Sequence, residues 1–106
     1  MSSQISTEDL KNDVEELAII AIEDRVSSER IHAYTHIRDI KYSEDLQSSM
    51  EHDILMGDIT GINTISRRFA NKLVSIVSKY EFQREKKLIL ECVELLLDKE
   101  AKQNEQ

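Results

Sequence analysis

Apolar positions recur along this chain at intervals of three and four, and the repeats fall into separate blocks. That spacing places them on one face of a helix. The first block, Leu10, Val14, Leu17 and Ala21, predicts a helix from about Thr7 to Arg25. Ser6 or Thr7 can cap it, and Glu8 and Asp9 suit the positive end of its dipole. Within it the run Leu17-Ala18-Ile19-Ile20-Ala21-Ile22 is apolar on every side, so that part needs cover from more than one neighbour. Ser27 and Ser28 mark the next boundary. A second helical region is predicted from about Ser28 to Tyr42 or Leu46, where Ile31, Tyr34, Ile37 and Ile40 drift around the wheel as in a short helix leading into a longer one.

Leu46, Met50, Ile54 and Leu55 form a short amphipathic stretch that Ser43 or Ser48 can start and Gly57 can stop. Asp58-Ile59-Thr60-Gly61 is then a tight corner. Asn63 or Thr64 is the expected cap of the next helix, whose apolar seam is Ile65, Phe69, Leu73, Ile76 and Tyr80. Ser78-Lys79-Tyr80-Glu81 matches a capping box and predicts a break there. The last helix is expected from about Phe82 to Ala101, with apolar residues over roughly two-thirds of its wheel. A small monomer cannot easily bury that arc together with the apolar part of the first helix, which predicts a homodimer joined through the two. The polar ends, residues 1–5 and 102–106, are expected to fray.

Composition narrows the fold class. Proline is absent, and the two glycines, Gly57 and Gly61, share one corner. Sheet proteins need many turns that use these residues, so the 106-residue chain reads as a single all-α domain of five or six helices. The single Cys92 excludes an internal disulfide and a four-cysteine zinc site, and its apolar neighbours predict a buried, inert thiol. The start, Met-Ser-Ser-Gln, lacks the basic and then apolar run of a secretory signal, and no apolar run approaches the ~20 residues needed to span a bilayer. These features predict a cytoplasmic protein without a membrane partner. Net charge is −7, but it is uneven: residues 1–61 hold five basic and fourteen acidic side chains, and residues 62–106 hold nine and seven. Screening confines the field that matters to about 8–10 Å, so a local basic stretch can still meet a polyanion.

The segment of about residues 49–79 has the pattern of a helix-turn-helix: a short helix, a glycine corner, and a second helix that opens with small polar residues. In that device the second helix enters the major groove. Asn63, Thr64, Ser66 and Arg67 would read bases, since arginine suits guanine and asparagine suits adenine, and Arg68, Lys72 and Lys79 would contact phosphates. An ordinary helical hairpin with a solvated polar face has the same pattern.

Gly61-Ile62-Asn63-Thr64-Ile65-Ser66-Arg67 resembles the opening of the recognition helix in the tryptophan repressor family, Gly-Ile-Ala-Thr-Ile-Thr-Arg. Upstream, Ser28-Glu29-Arg30, Thr35, Ile37-Arg38 and Ile40 are similar to that family's Asp-Glu-Arg…Thr-Arg-Val-Arg-Ile-Val segment. The resemblance covers about residues 27–73. It implies an intertwined all-helical dimer that binds double-stranded DNA, with contacts from Gly61, Asn63, Thr64, Ser66, Arg67, Arg68 and Lys72. It also implies that His36 and Arg67 occupy the family's effector-binding positions. The pattern departs in three places. Arg68-Phe69-Ala70 replaces the family's Gly-Ser-Asn, His36 replaces an arginine that meets the ligand carboxylate, and Val74 to Phe82 is longer than the family's link. Tryptophan is therefore not the expected corepressor, and an effector, if there is one, is of unknown type.

Glu29-x-x-His32-x-x-x-His36-x-x-Asp39 places four metal-ligating side chains on one helix face, but the second such motif of a di-iron bundle is missing. His52-Asp53 resembles paired metal ligands of hydrolases without the companion ligands. No phosphate loop, nucleophile elbow or catalytic carboxylate pair stands out, so neither a metal, a cofactor nor an enzymatic activity is expected. Two functions fit these residues. One is a homodimeric, repressor-type transcriptional regulator. The alternative is an acidic helical-bundle interaction module, such as an immunity protein, inhibitor or chaperone, whose Glu15, Glu16, Glu23 and Asp24 meet a basic partner.

Overall fold

The computed structural model describes residues 7–37, 43–62 and 64–104. They form five helices and no strand: α1 (Thr7–Glu23), α2 (Ser28–Thr35), α3 (Ser43–Thr60), α4 (Arg67–Val77) and α5 (Gln83–Asn104). The all-helical class and the count agree with the sequence pattern. α5 packs against α1 and α2, while α4 packs against α1 and α3. The largest fully buried side chains, among them Leu17, Ile31, Leu46, Met50, Phe69, Leu73, Ile89 and Leu90, come from all five helices and form one core.

α1 buries Val14, Leu17, Ala18 and Ala21, the expected stripe. Its end is closed by two nested hydrogen bonds: Val26 N–H donates to the Ala21 carbonyl (2.8 Å) and Arg25 N–H to the Ile22 carbonyl (3.3 Å). This closure needs a left-handed residue, and Arg25 takes that role at φ 59°. Ser27 then caps α2, its hydroxyl accepting from Arg30 N–H at 3.1 Å.

α2 is shorter than expected. It ends at Thr35, where His36 N–H donates to the Ala33 carbonyl and Ile37 N–H to the Tyr34 carbonyl, each at 3.2 Å. The proposed continuation through Ile40 and Tyr42 lies outside the described residues, as do Arg38 and Asp39.

The glycine corner is shifted by four residues. Gly57 does not stop α3; it is buried inside the helix, which runs to Thr60. Gly61 is the residue with the left-handed conformation (φ 79°), and its N–H donates to the Gly57 carbonyl at 2.8 Å. α4 also starts later than expected. Its cap is Ser66 and not Asn63 or Thr64: the Ser66 hydroxyl accepts from Phe69 N–H at 3.0 Å. Ile65 therefore sits in the connection, although it is still buried.

The expected break near residues 78–81 is present, with a different chemistry. Ser78 closes α4, donating from its hydroxyl to the Val74 carbonyl at 2.6 Å. The capping contact of α5 is made by Glu85, whose carboxylate accepts from Phe82 N–H at 3.2 Å. At the other end α5 continues through Lys102 to Asn104, beyond the predicted stop; residues 1–6, 105 and 106 lie outside the described residues.

Candidate functional site

The cationic side chains of α4, with Lys79 just beyond its end, are among the expected DNA contacts, and the fold gives each of them a carboxylate. α1 lies antiparallel to α4, so their charged residues meet in order. Lys79 Nζ reaches Asp13 at 2.9 Å and Lys72 Nζ reaches Glu16 at 2.7 Å. Arg68 pairs with Glu23 and, at 3.7 Å, with Asp24. Its hydrogen bond to Glu23 raises the guanidinium pKa further above the ordinary arginine value. Arg67 pairs with Asp58 of α3 at 2.9 Å, the most open contact of the set, with side chains 71% and 56% exposed. The Ser66 hydroxyl donates to Asp24 at 2.7 Å while it caps α4.

This arrangement changes both partner expectations. The acidic face of the first helix and the basic face of the fourth, which suggested two rival partners, satisfy each other. Glu16, Glu23 and Asp24 are therefore engaged inside the chain, and among the four acidic residues singled out on α1 only Glu15 has no ion pair given by this ladder.

The segment that resembles a recognition-helix opening is divided. Gly61, Ile62, Thr64, Ile65 and Ser66 belong to the connection, Asn63 lies outside the described residues, and only Arg67 of that stretch is helical. A connection of residues 61–66 is longer than the three or four residues usual in a helix-turn-helix. The outward face of α4 keeps Asn71 and Ser75 exposed beside Arg67 and Arg68.

His36 and Arg67 are held by different partners. Arg67 borders a cleft of about 150 Å³ with Gln47, Met50, Glu51 and Asn71. His36 instead turns its Nε2 to His32 Nε2 at 3.1 Å, and His32 Nδ1 lies 3.0 Å from Glu94 Oε1 on α5. Among the described residues no group of three His, Cys, Asp or Glu side chains converges as a metal site.

Three carboxylates have structural partners that the sequence pattern did not assign to them, Asp53 having been singled out only beside His52. Asp53 accepts from the Tyr34 hydroxyl (2.6 Å) and faces the Arg30 guanidinium (3.4 Å), tying α2 to α3. Burial first, and then Asp53, push the Tyr34 phenol well above its usual range. Asp13 is buried between Lys79 and Tyr80, whose hydroxyl donates to it at 2.9 Å. Glu94 is the third. A carboxylate at a mostly apolar helix position was the available signal for Asp13, which lies beside Val14 in the buried stripe. Asp53 and Glu94 carried no such signal.

A different surface has no partner among the described residues. α1 and α5 run side by side in the same direction: Leu10 and Val14 oppose Cys92, Leu95 and Leu96, and further along Ile19 and Ile22 oppose Leu96 and Gln103. Between them lies an open apolar groove of about 590 Å³. Leu95 is 67% exposed and Ile19 55%, and Ile22, Leu88 and Leu96 are also open. Cys92 lines this groove half-buried, which corrects the expectation of a fully buried thiol: the described residues leave one side of it open.

Comparison with protein-family models, with curated proteins and with solved structures gives no match for this chain. No described helix is long and apolar enough to cross a membrane.

Proposed function

We propose that this chain is a helical protein–protein interaction module that acts as a homodimer, with a second copy covering the α1–α5 groove. The observation that carries this reading is the apolar groove lined by Leu10, Val14, Cys92, Leu95 and Leu96, together with the exposed Ile19 and Ile22 further along α1. Small monomers rarely leave a contiguous patch of this kind open. The rim holds Lys11 and Lys99 beside Glu15 and Glu100, both signs on one face, which suits a self-complementary twofold contact. Two helices side by side are roughly 20 Å wide and overlap over roughly 20 Å, a footprint of about 400 Å² per copy, at the small end of specific interfaces. Analytical ultracentrifugation tests the reading. The expected result is a dimer that Ile19→Glu together with Leu95→Glu converts to a helical monomer. A wild-type chain that sediments as a monomer at every concentration would overturn it.

A second reading, DNA binding through α4 in the manner of a repressor, rests on the exposed Arg67 and on the likeness of residues 61–67. Surface ion pairs contribute about 0–1 kcal/mol each, so a phosphate backbone can compete for their cations. Gel shifts at low salt separate the two readings. Retardation that Lys72→Ala weakens on every sequence, and whose sequence preference Arg67→Ala relaxes, supports DNA binding. No retardation leaves the interaction module alone.

A further inference from the structure

We propose that His32 and His36 form a binding site for a divalent transition-metal ion of the zinc, nickel or copper type, with Glu94 holding the His32 ring from behind. The argument is independent of the dimer reading and begins with spacing. Residues one helical turn apart on α2 present their side chains on one face. Their Nε2 atoms stand 3.1 Å apart, with ring centroids at 4.8 Å. Imidazole nitrogens bind such ions at about 2.0–2.1 Å, so two ligands at angles between 90° and tetrahedral stand about 2.9–3.4 Å from each other. The observed separation already falls in that span, and small rotations of two exposed rings suffice to aim both lone pairs at one ion.

The second observation is the carboxylate behind the first ring. Glu94 projects from α5, a different helix, and its Oε1 lies 3.0 Å from His32 Nδ1. A carboxylate there favours the proton on Nδ1 and leaves the lone pair on Nε2, the atom that faces His36. Metal-bound histidines are commonly oriented in this way. Glu94 is the more buried partner, at 24% side-chain exposure against 56% for His32, so the orienting group is better fixed than the ligand it orients.

Two imidazoles select the class of ion. They suit copper, nickel and zinc, whereas magnesium and calcium require oxygen donors. With no third protein ligand converging among the described residues, water completes the coordination. The site is therefore open, and a micromolar affinity is expected. Bound metal would replace the direct His32–His36 contact and leave the Glu94 link between α2 and α5 in place.

The test is isothermal titration of the untagged 106-residue chain with zinc sulfate, with copper(II) chloride and magnesium chloride in parallel. One zinc ion per chain is expected, with copper tighter, in the order of divalent-ion affinities, and magnesium silent. His36→Asn should abolish measurable zinc binding, and Glu94→Gln should weaken it about tenfold. His52→Asn, an exposed histidine on α3, should leave it unchanged. Circular dichroism of each variant confirms that the helices persist, and His36→Asn is the decisive variant because its exposed ring makes few packing contacts. X-ray absorption of the zinc-loaded chain should show two imidazole nitrogens. Absence of zinc binding, or binding that survives His36→Asn, overturns the proposal.

Discussion

Replacing Asp13 with alanine probes the point where α1, α4 and the α4–α5 link are held together. The carboxylate is 7% exposed and has two partners at 2.9 Å, the Lys79 ammonium and the Tyr80 hydroxyl. They do not weigh equally. The Tyr80 residue is 4% exposed, so removing Asp13 strands a buried hydroxyl, which costs about 1–3 kcal/mol. Lys79 is 55% exposed and returns to water, so its share is about 0–1 kcal/mol. Alanine regains about 0.5 kcal/mol as the better helix former. The net loss for Asp13→Ala is therefore about 1–3 kcal/mol, and the order of cost should be Asp13→Ala, then Tyr80→Phe, then Lys79→Ala. Urea unfolding followed by circular dichroism at a fixed protein concentration measures each value, and fixed concentration matters because the proposed dimer would add stability by mass action. In the double-mutant cycle of Asp13→Ala with Tyr80→Phe, the pair should cost less than the sum of the singles by about 1 kcal/mol. The reasoning fails if Asp13→Ala costs less than about 0.5 kcal/mol, or if the two substitutions add within the same margin.

Three further outcomes follow from the backbone and from the buried phenols. Arg25→Gly should stabilise the chain by up to about 1 kcal/mol in the same unfolding assay, because Arg25 holds φ 59° at a position where glycine carries no steric penalty. Gly61→Ala should destabilise it by about 1 kcal/mol although a Cβ there meets nothing within 4 Å, so the loss would report backbone conformation and not crowding. Stability should be insensitive to the tyrosines below about pH 10, where folded and unfolded phenols are both protonated. Above it the unfolded chain releases protons that Tyr34 and Tyr80 retain, because burial raises both phenols. Stability should then fall by about 1.4 kcal/mol per pH unit for each residue, a slope that Tyr34→Phe and Tyr80→Phe remove one at a time.

The helices were legible because their apolar spacing is local. Val14, Leu17 and Ala21 on α1 and Phe69, Leu73 and Ile76 on α4 are buried as the three-and-four pattern requires. Their ends were less legible, because several residues compete for each cap. Asn63, Thr64 and Ser66 are all good caps by type, and Ser66 takes the role where its hydroxyl also reaches Asp24, a residue 42 positions earlier. Gly57 and Gly61 posed the same ambiguity for the end of α3. The charged faces were read correctly as faces and could not be assigned to each other. That Lys72 meets Glu16 and Lys79 meets Asp13 depends on α1 lying antiparallel to α4, which no local pattern states. The surplus of apolar residues on the first and last helices was visible in sequence, and the exposed Ile19 and Leu95 are that surplus in three dimensions.

The shared direction of α1 and α5 has a consequence for how two copies would face each other. Each helix carries roughly half an elementary charge of opposite sign at its two ends, and in a parallel pair these partial charges add at each end of the groove. Two copies placed with their grooves pointing the same way would bring like poles together. Reversing one copy sets each negative pole beside a positive one. Helix polarity therefore favours a twofold axis perpendicular to the groove, with Ile19 of one copy nearer the Leu10 end of its mate than to the mate's own Ile19. Cysteine pairs engineered at those two alternatives would cross-link selectively, and the pattern would read out the relative direction of the two copies without a complex structure.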